Sequence, residues 1–286
     1  MKAIIFIFYL LIASFEALSQ SEINILEVET VDAGDGRLCY RYKGNKKLPE
    51  GLVRLINVAD SGYIETVFDE KGFVSGQWKK AVGKVLLAEG EYKDGFPDGV
   101  FRTYSTDGER IVEENVYIKG KKDGVWKFYR PDGNLREVRE FKEDKACGKW
   151  KTFYPDGKPE SEKSYKEGLD EGVDRKYDEN GKLRRDIKYV AGKKVGKAFE
   201  IVSNSKGEVS ITAYYDKNGR RDGDYCELFS DGSVREKGKY VNGKKQGLWV
   251  YGSPNGGKLC EEKYKDGMLI EKTSVAKTLD TISDEK

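Results

Sequence analysis

The sequence predicts an all-β fold, an elongated single-layer antiparallel meander of tandem β-hairpin repeats of about 24 residues each, and three observations carry that prediction. Nine glycines, Gly51, Gly76, Gly99, Gly124, Gly148, Gly172, Gly196, Gly223 and Gly247, recur at intervals of 25, 23, 25, 24, 24, 24, 27 and 24 residues. Between them, aromatic-rich stretches alternate with period two, as a pleated strand requires and a helix does not. Asp-Gly and Asn-Gly pairs fall in a fixed slot of most repeats and close a turn.

The elements follow in chain order. Met1-Lys2, an apolar run from Ala3 to Phe15 and small residues at Ala17 and Ser19 read as a signal peptide over 1–19, cleaved near Ser19 before Gln20. The run is too short to span a bilayer, and an uncleaved anchor is the alternative. No other stretch approaches the roughly 20 apolar residues of a membrane-crossing helix, so the mature chain is expected without a transmembrane span, exported and periplasmic or extracellular. Residues 20–50 lack the repeat register and are read as an irregular N-terminal β cap. Residues 51–270 form the array of about nine repeats. Residues 271–286 are polar and are read as a disordered tail.

Within one repeat, Val125-Trp126-Lys127-Phe128-Tyr129 after Gly124 is a strand, and Arg130-Pro131-Asp132-Gly133 turns it. The chain then returns through Leu135, Glu137, Arg139 and Phe141. Two such strands and two tight turns account for the period, which gives about 18 strands in all. Two residues after the anchoring glycines stand Trp78, Phe101, Trp126, Trp150, Tyr225 and Trp249, and a second ring series includes Tyr92, Tyr117, Phe141, Tyr165, Tyr189, Tyr215, Tyr240 and Tyr264. On one face of a meander these become cross-strand ladders, a structural aromatic spine. Asp174 and Ala198 occupy ring slots, and the 27-residue interval falls around Arg220-Arg221, so the spine is expected to thin there.

The run from Tyr117 through Ile118-Lys119-Gly120-Lys121-Lys122-Asp123-Gly124-Val125-Trp126-Lys127-Phe128 to Tyr129 resembles the bacterial variant of the MORN repeat, and the likeness extends over about residues 40–267. The resemblance implies a hairpin meander and an interaction role. Some bacterial relatives are described as antitoxins, and eukaryotic MORN proteins are scaffolds with a debated lipid affinity. It carries no catalytic residue onto this chain.

Composition points the same way. Hydrophobic residues are 37% and charged residues 36%, against about 45–50% and 25% in a typical globular domain, so the strand faces should be half solvated. Fifty-two basic and 50 acidic side chains leave a net charge of +2, which argues against a general nucleic-acid binder. The chain has no histidine, which removes Ser-His and Cys-His pairs, and no GxxxxGK[ST] loop, and its four cysteines match no metal-ligand spacing. No enzyme, cofactor or metal is therefore expected. Cys39, Cys147, Cys226 and Cys260 read as unbridged, with Cys39 the most reactive because it lies in the least regular region.

The turns sort by edge. Those joining repeats carry Lys121-Lys122, Lys193-Lys194, Arg220-Arg221 and Lys244-Lys245, with further lysines at 46, 47 and 145; those within repeats carry Asp107, Asp132, Asp156 and Asp231. One rim should be basic and the other acidic. The eight residues of the four basic pairs are candidate partner-binding residues, for a protein, an envelope surface component, an anionic lipid or an acidic glycan. Lysine is also an ordinary solvated turn residue, and Asp123, Asp144, Asp170 and Asp222 offset part of the ridge. The function expected is a non-catalytic exported binding or scaffold protein of the bacterial envelope. The alternatives are an immunity or antitoxin-type protein and a cell-wall glycan or anionic-lipid binder.

Overall fold

A computed structural model describes residues 21–32, 34–44, 46–48, 50–204 and 207–274. The signal peptide and residues 275–286 of the expected tail lie outside the described residues. The chain divides into two compact halves, residues 1–147 and 148–286.

In the N-terminal half, β1 (Ser21–Asn24), a 3₁₀ turn (Ile25–Glu27), β2 (Val28–Asp32), β3 (Leu38–Tyr42) and β4 (Lys46–Lys47) form the cap. The hairpins follow as β5 (Gly51–Asn57), β6 (Gly62–Phe68), β7 (Val74–Val82), β8 (Val85–Lys93), β9 (Phe96–Pro97), β10 (Gly99–Tyr104), β11 (Ile111–Ile118), β12 (Lys121–Lys122), β13 (Gly124–Tyr129) and β14 (Leu135–Lys142). β15 (Lys145–Phe153) runs across the division. The C-terminal half continues with β16 (Pro159–Lys166), β17 (Leu169–Tyr177), β18 (Leu183–Val190), β19 (Lys193–Asn204), β20 (Gly207–Tyr215), β21 (Arg221–Phe229), β22 (Val234–Val241), β23 (Lys244–Gly252), β24 (Lys258–Lys265) and β25 (Met268–Ser274).

The all-β hairpin meander is present: consecutive strands from β5 to β8 and from β15 to β25 pair antiparallel. Three details depart from the expectation. The described residues hold 25 strands rather than about 18, because the cap adds four and because β9 and β12 are short arms cut from β10 and β13 by the residue before the anchoring glycine. That residue, Asp98 or Asp123, bulges to donate its N–H to Glu91 or Val116 of the preceding strand. The sheet is not a single layer throughout: β2, β3 and β4 form a second small sheet whose Val28 and Leu48 pack on Val53, Leu55, Phe68 and Val74 of the main one. Pairing is not wholly antiparallel either, since β1 lies parallel to β5 with Ser21 opposite Val53. The described residues of the cap thus form strands, and its hydrophobic residues explain why: Ile23, Val28 and Leu48 bury against the first hairpins.

Two further corrections concern the ends. Residues 271–274 belong to β25, paired with β24 through Glu271 opposite Lys263, so the strand pattern outlasts the polar composition. Cys39 is buried, with a lone β-bridge to Phe73 on the main sheet, so burial removes the access that reactivity requires. Cys39, Cys226 and Cys260 carry free thiols.

Two turn types alternate. After the longer Asp69–Phe73 loop between β6 and β7, most joining turns are two residues long with both φ values positive, as at Lys119-Gly120 (50°, 80°), Glu167-Gly168 (51°, 82°) and Asn242-Gly243 (51°, 80°). That is the I′ geometry whose twist suits a hairpin. Most turns within repeats are longer, the two-residue Gly83-Lys84 turn between β7 and β8 apart, and at Arg130–Asn134 Gly133 N–H returns to Arg130 O while its φ of 88° makes the bulge. In the 27-residue interval β19 and β20 stay paired out to Asn204 and Gly207, and the joining turn becomes the longer loop Asp216–Arg220.

Candidate interaction surface

The aromatic face comes first because it fixes which way every other side chain points. Side chains alternate across a strand, so Trp126 and Phe128 of β13 share a face with Arg139 and Phe141 of β14 opposite. In the N-terminal half the rings run unbroken, Trp78 to Phe101 at 6.4 Å between centroids, Phe101 to Tyr117 at 5.4 Å, Tyr117 to Trp126 at 5.1 Å and Trp126 to Phe141 at 5.3 Å. In the C-terminal half Trp150 meets Tyr165 at 4.7 Å, and Tyr225, Tyr240, Trp249 and Tyr264 form a second cluster. Between Tyr165 and Tyr225 no two rings touch among the described residues. The ring slots there hold Asp174 and Ala198, both buried.

Ions fill that gap. Lys163 pairs with Asp170 at 2.9 Å and sits over Tyr165 and Tyr189, while Arg185 pairs with Glu200 at 2.5 Å and reaches Asp174 at 3.6 Å. Burial pushes the Asp174 carboxyl above its ordinary value, against the pull of Arg185 and Lys163.

The four basic pairs split. In each, the first residue is exposed and the second half-buried, because adjacent strand residues point to opposite faces. Lys122 Nζ lies 4.7 Å from the Trp126 ring, Lys194 5.7 Å from Tyr215, Arg221 4.9 Å from Tyr225, and Lys245 4.1 Å from Trp249. These four are covers of the spine rather than members of a rim, and Lys245 also donates to Glu236 at 2.6 Å. Lys121, Lys193, Arg220 and Lys244 remain on the edge; Arg220 is tied to Asp216 at 2.9 Å, and the three lysines make no ion pair among the described residues.

What the sequence reading missed lies directly opposite those lysines. Ile118 pairs with Lys121, Lys166 with Leu169, Val190 with Lys193, Val241 with Lys244 and Lys265 with Met268. Each of these joining turns therefore presents one lysine and one aliphatic side chain on the face away from the spine. The aliphatics are well exposed: Ile118 47%, Leu169 52%, Val190 46%, Val241 38% and Met268 66%. In the C-terminal half the row is continuous, since Leu169 lies over Gly192 of the next joining turn, Lys193 over Gly219, Arg220 over Gly243 and Lys244 over Gly267. The signal in the sequence is an aliphatic residue flanking each of these turns opposite a lysine.

A second device holds these turns together. The residue before the anchoring glycine accepts a hydrogen bond from the first turn residue of the next repeat: Asp123 from Glu143 N–H (3.3 Å), Glu171 from Ala191 (2.8 Å), Asp222 from Asn242 (3.4 Å) and Gln246 from Asp266 (2.8 Å). So the acidic residues beside the basic ridge are its fasteners. The carboxylates of the opposite rim are likewise occupied: Asp107, Asp132, Asp156 and Asp231 each accept an N–H two residues on, and hydrogen bonds within their turns hold all four below the ordinary carboxyl range.

Among the described residues no group of His, Cys, Asp and Glu is placed to hold a metal ion, and no helix is long and apolar enough to cross a membrane. The family model of the MORN repeat variant matches residues 122–143, 146–167 and 170–191, three tandem repeats. No curated protein matches the chain. Among solved structures it is similar to part of "Crystal Structure of TcdB2-TccC3" (TM-score 0.15, 11% identity, covering 80% of this chain and 14% of that one). It is similar also to "Crystal Structure of TcdB2-TccC3-TEV" (TM-score 0.14, 11% identity, 83% and 14%). The chain spans about one-seventh of those chains, a likeness that bears on neither partner nor activity.

Proposed function

We propose that this chain of MORN-variant repeats is a non-catalytic, exported binding or scaffold protein of the bacterial envelope that engages its partner along the row of joining turns. The repeats support binding as the general role. One observation supports the place: in the C-terminal half, four two-residue joining turns, two on each side of the longer Asp216–Arg220 loop, pair an unengaged lysine with an exposed aliphatic residue, at Lys166 and Leu169, Val190 and Lys193, Val241 and Lys244, and Lys265 and Met268. A row of cations alone would be an ordinary solvated edge. Exposed aliphatics beside each cation cost solvation and fit a surface that is both anionic and apolar, such as the interface of an acidic bilayer or an amphipathic acidic protein face.

The experiment compares two sets of variants in the mature chain. Exchanging Lys166, Lys193 and Lys244 for Gln should weaken sedimentation with vesicles containing phosphatidylglycerol and reduce its salt dependence between 50 and 300 mM, because exposed charges are screened over about 10 Å at 0.1 M. Exchanging Leu169, Val190 and Met268 for Ser should weaken it at all salt concentrations. If neither set alters vesicle binding, or the parent binds no vesicle at 50 mM salt, the bilayer is not the partner. An acidic protein partner recovered by cross-linking at these same lysines would then keep the ridge.

A further inference from the structure

We infer that β25, the last strand of the sheet, is the contact through which two copies of this chain pair, each β25 lying antiparallel to the other about a two-fold axis at Leu269. The contact lies wholly in the C-terminal half and goes beyond the ridge, and its test uses neither vesicle nor partner protein.

The two ends of the array are built differently. At the first hairpins, Ile23, Val28 and Leu48 of the cap bury against Val53, Leu55 and Phe68. At the other end β25 pairs with β24 from Lys265 opposite Met268 to Cys260 opposite Ser274, and among the described residues no strand pairs with its outer edge. All of its residues are exposed, Leu269 at 49% and Ile270 at 56% among them. Nor does β25 carry what a further repeat would need. Counting 24 residues on from Gln246, Gly247 and Trp249, the fastener slot holds Ile270, the anchoring-glycine slot Glu271 and the ring slot Thr273. A polar fastener has become an exposed aliphatic residue, and no glycine follows Gly267 to turn a return strand as Gly133 and Gly232 do within their repeats. Open N–H and C=O groups along an edge that carries three consecutive apolar side chains, Met268, Leu269 and Ile270, suit another strand.

Pattern and charge decide which strand. The apolar run is symmetrical about Leu269, so with a two-fold axis there Leu269 faces Leu269 of the second copy, and Met268 and Ile270 face each other across the join. The same register sets Lys272, which Glu262 holds at 2.8 Å, opposite Asp266 of the second copy, and Glu271 opposite Gly267. The flanking registers lose this match: an axis at Met268 sets Ile270 against Asp266, an axis at Ile270 sets Leu269 against Glu271, and an axis at Glu271 sets two carboxylates face to face. Lys263, Lys265 and Lys272 balance Glu262, Asp266 and Glu271 at this end, so two copies meet without net repulsion. Met268 also belongs to the ridge and is therefore left unchanged in the variants below.

Sedimentation velocity of the mature chain tests the assignment, with hydrogen exchange of the β25 amides as a second readout. The parent should be a reversible dimer at micromolar concentration, and its Met268–Ser274 amides should exchange more slowly as concentration rises. Leu269→Lys sets two ammonium groups against each other at the axis and should weaken dimerisation about tenfold or more. Leu248→Lys, at a comparably exposed position on β23, should leave the dimer unchanged. Leu269→Cys should cross-link the two copies on mild oxidation with diamide, above the level of the parent with its four native cysteines, because only the Leu269-centred register sets that residue opposite itself. Removing residues 275–286 should not alter the dimer. A monomeric parent, a dimer indifferent to Leu269→Lys, no added cross-link through Leu269→Cys, or a parent that dimerises only once residues 275–286 are removed would each overturn the proposal, the last by showing that those residues cover the edge.

Discussion

At the scale of single residues, the same slot in successive repeats does opposite work. Trp126 is buried, donates its indole N–H to Val116 O at 2.9 Å and touches Tyr117 and Phe141. Trp126→Ala is expected to destabilise by about 3–5 kcal/mol in denaturant unfolding, since it removes a packed ring from a sheet with little other core. Asp174 stands in the equivalent slot and pays for burial with a raised pKa. The sign follows: its folded pKa lies above the unfolded value, so folding favours the protonated form, the penalty is present at neutral pH, and it is relieved as pH falls towards about 4. Asp174→Asn should therefore stabilise more at pH 7 than at pH 3.5, and urea unfolding at the two values measures it. Glu262 behaves in the other sense. Lys272 and then Tyr264 hold its carboxyl down at about 2, so its contribution is present above the unfolded value near 4.5 and is lost as pH falls towards 2.

At the scale of elements, stability is a nearest-neighbour matter, and the joining turns carry much of it. Gly192 N–H donates to Asp170 O at 2.8 Å and Ala191 N–H to Glu171, so one turn is fastened twice to the repeat before it. Glu171→Ala is expected to cost about 1–3 kcal/mol and to speed exchange at the Ala191 amide, because a carboxylate acceptor is lost from a strained positive-φ position. Exchange should also be fastest between Gly172 and Gly223, where ions replace rings. Uniform protection of β16 to β24 would show instead that the Lys163 and Arg185 networks match the rings in strength.

At the scale of the whole molecule, the expected targeting sequence lies outside the described residues and is open to a direct measurement. Expressed with its leader in a Gram-negative host, the chain should appear outside the cytoplasm with Gln20 as its first residue, by intact mass and N-terminal sequencing. A product that keeps Met1 and stays with the membrane would favour an uncleaved anchor.

The period, the strands, the turns and the spine were legible in the sequence because each repeats: a glycine with positive φ such as Gly124, a ring two residues on and an Asp-Gly turn recur at nearly fixed spacing, so nine weak local signals reinforce one another. Residues 20–50 offered no period, and their second layer exists only because Val28 and Leu48 find Val53 and Phe68 across the chain. Likewise, Lys121 and Lys122 are one doublet in the sequence, and only pleating sends one to the edge beside Ile118 and the other over Trp126. What the sequence by itself determined is whatever local conformation and repetition dictate. What the tertiary structure alone decided is which side chains meet, because facing and layering depend on pairings between residues far apart in the chain.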